Sequence, residues 1–203
     1  MNPVRLAEFH NEWYRPGRPA IVRAAWFLLG LPLLRASWLP FSAVRAALLR
    51  IFGARIGRGA VIKPGVRVKY PWLFEAGHHC WIGEDVWIDN LGRVRLGNNV
   101  CISQGAYLCT GNHDWSDPAF GLIVKPIEIA DGAWIGARSL VAPGAGAGEC
   151  AIVAAGSVVS HCVPPFEIHA GNPAVFVRQR DIRTELPVED QAAHPKLRKV
   201  AHS

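Results

Sequence analysis

The chain has 203 residues, of which 50% are hydrophobic and 19% charged. That is room for one domain with a substantial core, too little charge for a disordered chain, and no run of the ~18 uninterrupted apolar residues that a spanning helix needs. The net charge of +6 is lopsided: residues 1–58 hold nine arginines against Glu8 and Glu12, a balance of +7, and the other 145 residues hold 13 basic and 14 acidic side chains, a balance of −1. Charge confined to one end favours a local anionic partner such as a lipid surface and argues against a nucleic-acid-binding domain.

Residues 1–53 read as an N-terminal helical cap. Ala24–Leu34 and Ala43–Phe52 are apolar, carry Arg23, Arg35, Arg45 and Arg50, and are interrupted by Pro32 and Pro40, so each fits a short helix with an arginine-bearing side. Trp13, Tyr14, Trp26, Phe27, Trp38 and Phe41 add amphipathic or apolar rings. Two roles fit and can coexist. One is a lid on the first turn of the domain that follows; the other is a membrane-surface contact through residues 13–52. Ala24–Leu34 also has the length of a signal-peptide core, but the chain stays apolar through Phe41 and the small-residue cleavage pattern is poor. The chain therefore reads as cytoplasmic, with peripheral contact at the inner membrane face.

From residue 54 to 177 a period of six takes over. Aliphatic residues recur as Ile56, Ile62, Val68; as Ile82, Ile88; as Leu96, Ile102, Leu108; and as Ile129, Ile135, Val141, then Val153, Val159 around an Ala147. A mostly small residue follows four positions later, as in Ala133, Ser139, Ala145, Ala151 and Ser157. Neither a helix nor a flat strand has this period. Three six-residue edges closing into a triangular coil do, with one aliphatic side chain per edge pointing to the axis and glycine easing the corners. The expected fold is a left-handed parallel β-helix.

The frame slips at three places. Ile88 to Leu96 contains two extra residues near Leu91-Gly92-Arg93, and Tyr70–His79 loses the pattern. Leu108 to Ile129 is 21 residues, read as one 18-residue coil plus three, with 111–126 leaving the prism as a loop. Cys80, Cys101, Cys109, Cys150 and Cys162 form no paired zinc spacing, and Cys150 and Cys162 fall on different faces, so free thiols in a reducing compartment are expected. Residues 178–203 read as a C-terminal tail, with Lys196, Arg198 and Lys199 solvated.

Several stretches resemble the hexapeptide-repeat acyltransferases, and within them the colanic-acid-type sugar O-acetyltransferases of bacterial polysaccharide biosynthesis. They are Lys125-Pro126-Ile127, Trp134-Ile135-Gly136-Ala137, Ala155-Gly156-Ser157-Val158-Val159, Gly171-Asn172-Pro173-Ala174, Trp87-Ile88-Asp89-Asn90-Leu91 and Cys101 through Trp115. The likeness spans roughly residues 12–180. It implies a homotrimer that moves acetyl from acetyl-CoA directly to a sugar hydroxyl on an exopolysaccharide or surface glycan; the +7, Trp-rich N-terminal segment adds the expectation that the acceptor is lipid-linked or otherwise presented at a membrane.

Transfer from a thioester to an alcohol needs a base near neutral pH, and imidazole has the right acidity. The resemblance gives that role to His113, with Asp114 orienting it or stabilising its charge. It puts Asn90 or Asp89 on the acceptor and Trp134 in the acceptor or pantetheine groove. The Ala137 N–H falls at the oxyanion, and Ala155, Ser160 and His161 line the CoA groove. Arg178 and Arg180 suit the nucleotide phosphates. Ser160-His161 departs from the Thr-Lys of many relatives. Other readings are amino-sugar N-acetylation with the same base, a non-catalytic scaffold, and a zinc enzyme using His78, His79 and His113. The last lacks a second loop histidine, since position 118 is proline; no metal and no nucleic acid are expected.

Overall fold

A computed structural model describes residues 4–39 and 41–183; the basic positions 196, 198 and 199 lie outside them. The hexads close into a parallel β-helix with three faces. The first face stacks six short strands from Arg55–Ile56 to Cys162–Val163, the second six from Val61–Ile62 to Glu167–Ala170, and the third five from Arg67–Val68 to Val158–Val159. A last strand, Val175–Gln179, folds back antiparallel on Glu167–Ala170 and so includes Arg178. The residues in phase in the sequence meet in the axis: Ile62, Ile82, Ile102, Ile135 and Val153 pair in register down the second face, all buried. The column ends at His169, which takes the place of an aliphatic residue beneath Val153.

Between residues 132 and 156 the backbone enters the left-handed region at each corner, again at a spacing of six. Gly132, Arg138, Gly144, Cys150 and Gly156 all have positive φ, between 55° and 81°. Glycine is thus used at only some corners; Arg138 and Cys150 carry the conformation at a cost of about 1 kcal/mol each. Gly136 serves another purpose. A Cβ there would stand 2.5 Å from the Ala155 nitrogen of the next coil, so its lack of a side chain lets two corners stack.

The register resolves the frame slips. The first coils are 20 residues long, as in Ile62 to Ile82 to Ile102, and the later coil from Ile135 to Val153 has 18. The two extra residues fall between the third and first faces: Pro71–Leu73 is a short 3-10 turn there, and Leu91-Gly92-Arg93 lies one coil below. The reading of the 21-residue gap as a coil plus three is corrected. Leu96 pairs directly with Ile129, so the gap is one six-residue edge plus a 15-residue insertion at that same corner. Its ends pair as an antiparallel hairpin, Gly111–His113 with Leu122–Val124.

Before the prism, α1 (Ala20–Ala25) runs through a π-helical turn, Trp26–Gly30, into α2 (Leu31–Arg35), and α3 (Ser42–Ile51) follows. Trp26, Gly30 and Leu34 recur every four residues and are buried, as are Ala46 and Leu49 of α3. The Trp26 indole donates to the Val68 carbonyl at 3.0 Å, and the Ser42 hydroxyl meets Ala60 and Ile62, which fixes the helices on the first coil. Arg45 does not sit on an outward basic side. It is fully buried and caps the end of α2, bonding the Leu34, Ala36 and Leu39 carbonyls. Burial lowers its affinity for its proton, and three acceptors compensate for the lost water.

Candidate functional site

His113 ends the outgoing strand of the hairpin, at the edge between the third and first faces. Its Nδ1 lies 2.8 Å from the Phe120 carbonyl oxygen. A carbonyl only accepts, so Nδ1 carries the proton and the neutral ring keeps its lone pair on Nε2. The Phe120 ring stacks on the imidazole at 4.5 Å and 14°, and Phe9 of the N-terminal segment meets it edge-on at 5.6 Å. Phe120 holds a φ of +56°, which costs a bulky side chain energy. Asp117 enforces it: its carboxylate accepts the Ala119 and Gly121 amides at 2.9 and 3.1 Å, and its carbonyl accepts the Phe120 amide at 2.8 Å. Backbone strain here aims an acceptor at the imidazole.

Asp114 is not the group that holds the ring. Its carboxylate accepts the Ser116 hydroxyl and amide, which keep it below the usual carboxylate range, and its amide bonds Gly121 across the hairpin. Sequence reasoning does not single out Phe120, Asp117 or Phe9. Asp117-Pro118 followed by Phe120-Gly121 has the composition of a tight turn, but nothing local says which carbonyl it will aim.

Asp89 and Asn90 part company one residue apart. Asn90 is fully buried; its Oδ1 accepts the Tyr70 amide at 2.9 Å and its Nδ2 donates to the Tyr70 carbonyl at 2.8 Å, so it closes a corner and is withdrawn from any ligand. Asp89 faces outward on the third face, where Lys69 pairs with Oδ1 at 2.9 Å and the Tyr107 hydroxyl donates to Oδ2 at 3.0 Å. Burial, then Cys109 and Asp89 nearby, push the Tyr107 phenol up, keeping it protonated as that donor. Beside them Arg67 covers Trp87 at 4.6 Å, and Trp87 stacks on Tyr107 at 4.6 Å and 24°. The third face thus offers aromatic rings next to a carboxylate on the face that leads to His113.

The remaining residues lie elsewhere. Ala137 and Ala155 stack on the edge between the second and third faces, joined where the Gly156 amide meets the Ala137 carbonyl at 2.8 Å. Trp134 is half exposed on the second face, its indole donating to the Ser103 hydroxyl at 2.8 Å. Ser160 and His161 follow the last strand of the third face. Their surroundings turn toward the end of the column: His161 Nε2 stands 3.3 Å from His169 Nδ1, whose other nitrogen meets Glu167 at 2.8 Å. Arg178 is exposed, whereas Arg180 binds the Gly132 and Cys150 carbonyls at 3.0 and 2.9 Å and ties the exit of the last strand to the prism. One chain therefore does not gather the whole set. His113 and Ala137 stand on different edges, separated by the width of the third face, at most ~20 Å for six residues of extended chain. Among the described residues no three His, Cys, Asp or Glu side chains share a cation-sized site, and His78 instead accepts the Arg58 amide at 3.0 Å. The five cysteines are free thiols.

No family model matches the chain. Over 141 residues, 70% of this chain and 77% of the relative, it is 42% identical to the protein named "Putative colanic acid biosynthesis acetyltransferase WcaF" of Escherichia coli strain K12. The galactoside O-acetyltransferase of the same strain is 27% identical over 142 residues, 66% of this chain and 68% of the relative. Among solved structures, a hexapeptide-repeat-containing acetyltransferase of Vibrio cholerae superposes with a TM-score of 0.72 at 28% identity, covering 80% of this chain and 92% of that one. Its complex with acetyl coenzyme A gives 0.72 at 26% identity, covering 80% and 88%.

Proposed function

Because the chain belongs to the hexapeptide-repeat acetyltransferases, we propose that it moves acetyl from acetyl-CoA directly to a saccharide hydroxyl, with His113 as general base. The observation that carries this reading is the Phe120 carbonyl on His113 Nδ1, which leaves Nε2 as the proton acceptor. Nε2 takes the hydroxyl proton as the oxygen attacks the thioester carbonyl; the carbon–oxygen bond forms, the carbon–sulfur bond breaks, and the imidazolium returns the proton to the departing CoA sulfur. The carbonyl against Nδ1 stabilises the transient positive ring, as the third member of a triad would. The Ala137 N–H suits the oxyanion, and the Ala137–Ala155 edge suits the acyl donor.

Two edges of the prism carry these parts, which supports a homotrimer in which the third-to-first edge of one chain meets the second-to-third edge of the next. The acceptor lies against Asp89, Trp87 and Tyr107, a carboxylate for sugar hydroxyls beside rings for the apolar side of the sugar. The relative's role in colanic acid biosynthesis points to an exopolysaccharide or a lipid-linked precursor as its source.

The test is transfer of labelled acetyl from acetyl-CoA to a panel of saccharides, with the product then treated with mild base. Label released by base is an ester and supports the proposal. Label that survives is an amide and moves the chemistry to an amino sugar. Acetyl-CoA that binds but never transfers, across amine and hydroxyl acceptors alike, overturns the catalytic reading.

A further inference from the structure

The helices that close the prism turn an apolar surface outward. Their buried stripes rest on the first coil, so the opposite stripes face away from it. On that outer side Ile21, Leu28, Leu29, Val44 and Ile51 are each 45% or more exposed. Trp38 and Phe41, in the connection between α2 and α3, are 73% and 65% exposed. A solvated helix presents charged residues there; these present leucine, isoleucine and valine.

The charge around this surface has one sign. From Trp13 to Phe74 the chain has eleven basic residues and no Asp or Glu. Arg15, Arg18 and Arg35 are exposed, whereas Arg45 is consumed inside, Arg23 is half-buried and Arg50 donates to the Ile56 and Gly57 carbonyls of the prism. The acidic groups that reach the region come from the prism: Glu84 and Asp85 share an open cavity of about 810 Å³ with Arg35 and Trp38, and Glu75 stands 3.8 Å from Arg55. No helix among the described residues is long and apolar enough to cross a membrane.

We propose that this face of α1–α3 docks on an anionic lipid surface, with the aliphatic side chains and the Trp38–Phe41 connection at the acyl boundary and the exposed arginines at the headgroups. Charge complementarity selects that occupant. Pressing the face on its own copy would set arginine-rich surfaces against each other, with only Glu84 and Asp85 beside Arg35 to offset them, whereas phosphate-bearing headgroups supply the missing sign. On the acetyltransferase reading above, docking would bring membrane-presented saccharides to the prism, but the lipid contact stands on its own observations.

The experiment is flotation of the full-length protein with vesicles of phosphatidylcholine alone and of phosphatidylcholine with phosphatidylglycerol, at low and high salt. The expected result is binding to the anionic vesicles only, weakened by salt. Leu28→Asp with Ile51→Asp, both at exposed positions, should abolish it with the circular dichroism spectrum unchanged. Arg18→Gln with Arg35→Gln should weaken it about 25-fold, from about fivefold per arginine. No flotation with either vesicle overturns the proposal. So does equal flotation with phosphatidylcholine alone. A wild type that does not float but loses a subunit by light scattering on Leu28→Asp with Ile51→Asp would assign the face to a second copy instead.

Discussion

Gly30→Ala should destabilise the protein, although it replaces a poor helix former with the best one. In an open helix the exchange gains about 1 kcal/mol. Here the added Cβ would lie 2.6 Å from Cζ3 of Trp26, nearer still to its Cε3, and 3.1 Å from Cε2 of Phe52. Trp26 cannot retreat cheaply: it is fully buried, its indole is bonded to Val68 at 3.0 Å, and its ring lies 5.0 Å from that of Phe52. Overpacking of this kind costs about 1–3 kcal/mol, so the net effect is a loss of about 1 kcal/mol and a drop in melting temperature of about 2–4 °C. The contrast comes from Trp26→Leu, which loses about 3 kcal/mol itself but removes the obstacle. In that background Gly30→Ala should stabilise by up to about 1 kcal/mol, a coupling that denaturant unfolding followed by circular dichroism would read as a double-mutant cycle. Stabilisation by Gly30→Ala in the otherwise native chain would refute the claim that the helical cap is packed tightly on the prism.

Asn90→Ala should cost about 2–4 kcal/mol in thermal unfolding, because it strands a buried amide and a buried carbonyl of Tyr70, and should leave the acceptor KM of the surviving fold unchanged. Asp89→Asn should do the reverse, raising that KM several-fold with under about 1 kcal/mol of stability lost, since the exchange breaks only a partly exposed ion pair. Asp131 accepts the Asn98 amide and side chain at 2.9 and 3.0 Å, which holds its carboxyl below the usual range. A depressed pKa gives stability that is present above the unfolded value and lost as pH falls through the folded one. The difference between wild type and Asp131→Asn should therefore be largest near neutrality and close below about pH 4, measured by unfolding across pH.

The prism is legible in the sequence because its physical cause repeats. One aliphatic side chain per edge must reach the axis, so the spacing of Ile129, Ile135 and Val141 is itself the signature of the coil. The helices are legible for a similar reason, through the apolar runs around Trp26 and Ala46. What stays hidden depends on contacts between coils. Whether Asp89 or Asn90 faces outward turns on a two-residue insertion whose exit only the register fixes. Arg45 looks like any other arginine of the basic segment, and only the packing of α2 against α3 gives it three carbonyls to cap. The base itself is nameable from the motif around His113. The Phe120 carbonyl that sets its tautomer is seven residues away, and it depends on a left-handed φ that phenylalanine rarely adopts.

The most direct test of His113 as the base is acceptor-dependent release of free CoA from acetyl-CoA by the wild type and by His113→Ala. A fall of ~10²-fold or more with acetyl-CoA binding retained is expected, the range for losing a general base. Release at the wild-type rate from His113→Ala would contradict that role and place the base elsewhere.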